Sequence, residues 1–334
     1  MRLPVVLAAI ALAVFGPPAA SGAVAADADL LVTPVVTRLA GADRYDMAAL
    51  VALRARPAGA EVVYIASGEN YPDALSAGPA AVHRHGVLLL VQRAVVPAAA
   101  AIALGAMNPA SVVIVGGTAS VSDAVEARLQ ALAPRATVER IDGADRYEVS
   151  RTIAARAFTA GATGAFIATG RAFPDALSAG PAAAVLDQPV LLVDGGPPAD
   201  IPTVRLLDSL RAADVNLTGG TSSLSSTLES SLRLVRSVTR IDGADRYAVS
   251  QRINEVLLQD YDTVYLVTGA NFPDALAGGV LAGTTRSPMY VVPADCVPPQ
   301  VITRMTAMGT RQVVLLGGTA SLSPAVETLT PCLP

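Results

Sequence analysis

One eight-residue phrase occurs three times in the chain: R-L-A-G-A-D-R-Y at residues 38–45, then R-I-D-G-A-D-R-Y at 140–147 and again at 240–247. Two further phrases keep step with it. Y-P-D-A-L-S-A-G-P-A-A starts at Tyr71, F-P-D-A-L-S-A-G-P-A-A at Phe173 and F-P-D-A-L-A-G-G-V-L-A at Phe272; V-G-G-T-A-S starts at Val115, T-G-G-T-S-S at Thr218 and L-G-G-T-A-S at Leu316. Three phrases in a fixed order, spaced by about a hundred residues, describe a small structural unit written three times. The copies run over residues 36–137, 138–237 and 238–334. With no Ser/Gly-rich linker between them, they are expected to pack closely, in a pseudo-threefold arrangement.

What precedes the copies reads as a targeting segment. Arg2 supplies a positive end, Leu3 to Phe15 an apolar run too short to span a bilayer, and Ala23-Val24-Ala25 a small-residue cleavage site. Residues 1–25 are therefore expected to be a signal peptide, and the remainder an exported chain with no membrane association after cleavage. Export makes a disulfide between the two cysteines, Cys296 and Cys332, the expected pairing. Such a link restricts the unfolded chain by about 3–4 kcal/mol. The leader and three copies account for the sequence, so a separate effector domain is not expected.

The basic residues are all arginine, which excludes a Schiff-base or P-loop lysine. A net charge of −4 argues against nucleic acid held by bulk charge, and the absence of tryptophan with few other aromatics leaves little material for sugar-stacking platforms. The two histidines, His83 and His85, occur in copy one alone and read as exposed loop residues. No Ser-His-Asp, Cys-His or zinc spacing can be assembled, the carboxylates recur singly, and neither a cofactor nor a metal is implied. The chain is thus expected not to be an enzyme.

Copy two shows the internal plan. Short apolar runs at 137–141, 165–169, 190–193 and 215–218 read as strands. Helices are expected from about Asp145, then over 174–185, 201–210 and 224–235. Continuous apolar strands alternating with helices give an α/β unit: a short parallel sheet flanked by helices.

In such a sheet, ligands bind beyond the carboxyl ends of the strands. Two junctions per copy fall there. Gly116-Gly117, Gly219-Gly220 and Gly317-Gly318 either expose backbone N–H groups to an anion or simply turn the chain before the N-capping serines Ser122, Ser225 and Ser323. Asp73, Asp175 and Asp274 follow a proline at the first helical position. They either stabilise the helix start or accept from sugar hydroxyls, ammonium groups or a cation. In the repeated phrase itself, Asp43, Asp145 and Asp245 are suited to cap the next helix, and Asp145 with Glu148 has capping-box spacing. Arg44, Arg146 and Arg246 sit where a cation opposes the helix dipole, which calls for another partner: a carboxylate of a neighbouring copy, or an anionic ligand. Tyr45, Tyr147 and Tyr247 suit an interface, with a hydroxyl handle.

Together R-[IL]-x-G-A-D-R-Y, [YF]-P-D-A-L-[SA]-[AG]-G and G-G-T-x-S resemble the cell wall-binding repeat 2 family of Gram-positive surface proteins, over essentially the whole chain after the leader. The resemblance implies a trimer-like anchor of Toprim-like α/β units, attached non-covalently to an anionic secondary cell-wall polymer. Carried over, Arg38, Arg44, Arg140, Arg146, Arg240 and Arg246 become candidate polymer contacts, oriented by the aspartates and the Gly-Gly backbones. The family also implies two alternatives, a modifier of an autolytic wall amidase and, more remotely, a wall hydrolase; an amidase or another surface protein is then a partner. The copies depart from one another at Ala40, where the others have Asp142 and Asp242, and at Ala277-Gly278, where copy three also lacks the Gly-Pro pair.

Overall fold

The computed structural model describes residues 33–196, 198–257 and 261–333; the expected signal peptide lies outside them. Copy one runs β1 (Val35–Leu39), α1 (Arg44–Ala55), β2 (Val62–Ser67), α2 (Pro72–His83), β3 (Val87–Val91), α3 (Ala98–Met107), β4 (Ser111–Val115) and α4 (Asp123–Leu132). Copy two repeats it as β5 (Thr137–Ile141), α5 (Arg146–Ala157), β6 (Gly164–Thr169), α6 (Pro174–Val185), β7 (Val190–Val193), α7 (Ile201–Ser209), β8 (Asp214–Thr218) and α8 (Ser226–Arg233). Copy three gives β9 (Ser237–Ile241), α9 (Arg246–Leu257), β10 (Thr263–Thr268), α10 (Pro273–Thr284), β11 (Met289–Val292), α11 (Pro299–Ala307), β12 (Gln312–Leu316) and α12 (Pro324–Glu327). The expected α/β class and the strands of copy two are found. α8 begins two residues later than expected, because Ser225 bonds the Leu228 N–H and fixes the start.

Three four-stranded parallel sheets form, in the orders β3-β2-β4-β5, β7-β6-β8-β9 and β1-β12-β10-β11. Sheet and repeat are therefore out of step by one strand. The strand that opens each copy completes the sheet of the copy before it, and β1 pairs in parallel with β12, Val35 opposite Gln312 through Leu39 opposite Leu316. The first copy thereby closes the sheet of the last. The local reading of 137–141 as a strand holds, but its partners belong to copy one: Val115 lies opposite Ile141, and the Gly116 N–H bonds the Ile141 carbonyl.

The P-D-A-L helices α2, α6 and α10 pack on one another at the centre. Their alanine and glycine faces permit the approach: a Cβ on Gly283 would lie 2.4 Å from that of Ala184. Between them remains an apolar void of about 20 Å³, lined by equivalent residues of all three copies (Ala74, Ala176 and Ala275; Gly78, Gly180 and Gly279), which marks a pseudo-threefold axis. Pro79 and Pro181 lie inside α2 and α6, each at the expense of one helical hydrogen bond. Each G-A-D-R-Y helix packs on the preceding copy's central helix, α5 on α2, α9 on α6 and α1 on α10.

One hydrophobic cluster runs through all three copies, and a smaller one is centred on Tyr261, Leu266, Tyr290, Val301 and Met305 of copy three, joined by Val185 of copy two. Cys296 and Cys332 are bonded, tying the segment after β11 to the chain end. Among the described residues, no helix is long and apolar enough to cross a membrane.

Candidate functional site

Each seam between copies is held by the first arginine of the repeated phrase. Arg140 donates to the carbonyls of Gly116 and Val121 at 2.9 Å and to Glu126 Oε2 at 2.7 and 3.0 Å. Arg240 does the same with Gly219, Leu224 and Glu229, and Arg38 with Gly317 and Glu327. These guanidinium groups are 11–15% exposed. Arg38, Arg140 and Arg240, expected as polymer contacts, are thus committed to internal partners as clamps between copies. Their acidic partners escaped the sequence reading, yet Glu126, Glu229 and Glu327 each stand at one fixed distance after the first glycine of G-G-T. That regularity is the signal that identifies them.

The clamped loop shapes a cleft. Gly116, Gly219 and Gly317 have φ of +99°, +118° and +119°, and a Cβ there would lie 2.3–2.5 Å from Oδ2 of Asp73, Asp175 and Asp274. The first glycine is therefore fixed twice, by its backbone and by the carboxyl against it. Gly117, Gly220 and Gly318 face open space. Ser321 Oγ donates to Asp274 Oδ2 at 2.9 Å, and Ser120 and Ser223 bond Asp73 and Asp175. Burial pushes all three carboxyl pKa values up, against the opposing pull of these serines and of Arg146, Arg246 and Arg44, each from the following copy.

The rest of the phrase forms the opposite wall. Asp43, Asp145 and Asp245 cap their helices, each Oδ1 accepting from the backbone N–H groups two and three residues on. Glu148 returns a bond to the Ala144 N–H, one residue before the cap itself, and Asp46 does likewise at Ala42. The rings of Tyr45, Tyr147 and Tyr247 pass beneath Gly68, Gly170 and Gly269, where a Cβ would lie 2.6–2.7 Å from the ring edge. These tyrosines pack; the Tyr147 hydroxyl also reaches Asp194 at 3.2 Å.

Arg44, Arg146 and Arg246 behave differently from the clamps. Nη1 of Arg44 donates to the Gly68 carbonyl at 2.7 Å and that of Arg146 to Gly170 at 2.6 Å, with Arg246 bound alike to Gly269. Among the described residues none of the three joins an ion pair, so of the two partners the sequence allows, the carboxylate of a neighbouring copy is not taken up. Arg44 is exposed, the other two half-exposed. Each lies over a ring of the preceding copy instead: Arg44 over Phe272 at 5.9 Å, Arg146 over Tyr71 at 5.9 Å, Arg246 over Phe173 at 5.6 Å. The three rings meet one another edge-on, centroids 5.6, 5.6 and 5.8 Å apart.

At the seam between copies three and one these parts enclose a cleft of about 420 Å³, with Asp43, Arg44, Phe272, Asp274, Gly318 and Ser321 in its wall. It offers a cation with unused N–H groups, loop backbone, hydroxyls, an aromatic edge and a carboxyl biased toward its neutral form. That set suits an anionic, hydroxyl-rich ligand. Among the described residues, no group of three His, Cys, Asp or Glu is placed to hold a metal. His83, expected in an exposed loop, ends α2, stacks on Phe158 at 4.1 Å and bonds Asp187 at 2.6 Å, so it belongs to the seam between copies one and two.

The sequence matches the family described as Cell wall binding domain 2 (CWB2) three times, over residues 38–126, 140–229 and 240–327. The chain belongs to the CWB2 family. It is 30% identical over 295 residues to the amidase enhancer of Bacillus subtilis (strain 168), covering 88% of this chain and 40% of that protein. It is 28% identical over 292 residues to the N-acetylmuramoyl-L-alanine amidase LytC of the same strain, covering 87% and 57%. Two solved structures share the fold: Cwp6 from Clostridium difficile, with a TM-score of 0.81 at 24% identity over 89% of this chain and 48% of that one, and Cwp8, with 0.80 at 22% over 89% and 51%. The chain thus spans about half the length of the proteins it matches. Three CWB2 repeats make association with the cell wall its coarse function.

Proposed function

We propose that the chain is an exported, non-enzymatic anchor that docks on an anionic cell-wall glycopolymer through the clefts at its three seams. The observation that carries this is the contrast between two arginine sets in one phrase. Arg38, Arg140 and Arg240 are tied to a glutamate and loop carbonyls inside the protein, whereas among the described residues Arg44, Arg146 and Arg246 join no ion pair. An unpaired guanidinium is well suited to a carboxylate or phosphate on a saccharide. Asp73, Asp175 and Asp274 accept or donate to hydroxyls, and Gly117, Gly220 and Gly318 leave room for the chain.

Retention on purified walls, before and after acid extraction of the anionic polymer, tests this. Binding lost on extraction is expected, as is binding lost in the triple variant R44Q/R146Q/R246Q with its fold intact. Retention that survives extraction overturns the proposal. Similarity to the amidase enhancer and to LytC supports a second reading, in which the anchored chain modulates a wall amidase. Wall clearing accelerated by the chain only when an amidase is present favours it; clearing by the chain alone would make it a hydrolase.

A further inference from the structure

The arginines of the three seams are not isolated from one another. Each cleft arginine lies within 5.9 Å of the centroid of one of three rings grouped about the pseudo-threefold axis, and each ring meets the other two at 5.6–5.8 Å. Three cations from three copies therefore surround one small aromatic cap. Tyr71, Phe173 and Phe272 remain partly exposed, and the Tyr71 hydroxyl donates to the Arg171 carbonyl at 3.2 Å. Each guanidinium leans on one ring of the apolar cap and, among the described residues, joins no ion pair, so its positive charge is available to an anion brought to the cap. The cleft between copies three and one runs from this cap, at Phe272, outward to Gly318.

We propose that the cap and its three arginines form one axial site, which takes a single anionic sugar residue per chain, its charged group shared among Arg44, Arg146 and Arg246 and its ring face against Tyr71, Phe173 and Phe272. This rests on the wall-polymer reading but changes its geometry. One terminal or pendant anionic sugar is gripped on the axis, and the clefts lead the remainder of the polymer away in any of three equivalent directions. The shared chemistry is an anion on a saccharide or polyol, either a carboxylate or a phosphate.

The chain contains no tryptophan, so Tyr71→Trp places a single indole on the axis. Polymer released from walls by acid, trigalacturonate and a glycerol phosphate trimer serve as probes. The expected result is a change in indole emission that saturates at one equivalent per chain, with the two defined probes separating carboxylate from phosphate. In the otherwise native chain, R44Q, R146Q and R246Q are each expected to weaken wall retention about tenfold while leaving capacity unchanged. Independent seam sites would instead lose one third of the capacity per variant and keep full affinity in the rest, which overturns the axial site. Silence of the indole toward all three probes, while the chain still binds walls in a polymer-dependent way, also overturns it and leaves the wall-polymer reading standing. Absence of wall binding by the native chain is the separate failure of that reading.

Discussion

A single phrase assigns opposite tasks to two arginines six residues apart. The first ends a strand whose neighbour presents loop carbonyls and a glutamate, so its charge is consumed where it stands. The second opens a helix, where the dipole repels it and the backbone gives it one carbonyl; it then leans on a ring of the preceding copy. The glycine between them in space is held as tightly. Gly317→Ala would combine a φ of +119° with a Cβ 2.5 Å from Asp274 Oδ2, and is expected to destabilise the chain by about 1–3 kcal/mol. Gly318→Ala, facing open space, is expected to change stability little and polymer binding more. Thermal denaturation and wall retention of the two variants separate these effects.

At the scale of elements, strands, helices and their order were legible in the sequence, because short apolar runs and capped helix starts are local properties. Pro174 and Asp145 each announce a helix within a residue or two of where it begins. The destination of β5 was not legible. Nothing between residues 137 and 141 says which sheet they join; that is decided by Arg140 reaching Glu126 and the Gly116 carbonyl across the seam. The aromatic cap was hidden for a like reason, since few rings in a composition say nothing of three meeting at one point. Deleting residues 33–39 tests the strand exchange. It uncovers the β12 edge and removes the Arg38 clamp, and is expected to lower the melting temperature and promote self-association, read by size-exclusion chromatography with light scattering. A truncated chain that stays monomeric and equally stable would show that β1 closes nothing of consequence.

For the whole molecule, threefold repetition concentrates one kind of titration at three seams. Burial raises the pKa of Asp73, Asp175 and Asp274 above the model-compound 3.8, so folding favours their protonated forms. The stability they contribute is complete below 3.8 and declines as pH rises through the raised values. Asp194 and Glu229 are shifted the other way, by Arg171 and by Arg233 with Arg240, and act below 3.8 and 4.5 respectively, where stability falls with further acid. The native chain is thus expected to gain stability on mild acidification from neutral pH, and the variant D73N/D175N/D274N to lack that gain. Melting temperatures of both between pH 4 and pH 7 decide it. Protonation also removes negative charge from the clefts, so retention on an anionic polymer is expected to strengthen over the same interval.

The pairing of β1 with β12 places a constraint on assembly in time. Arg38 and Gly317, in contact, are 279 residues apart, so the opening strand of the first repeat waits for the third repeat before it finds its place. The first two sheets each become complete once the opening strand of the following repeat arrives, whereas the third depends on a strand that left the ribosome before all the others. A chain halted before its third repeat therefore leaves its leading strand without the edge it pairs with, a backbone open to other partners.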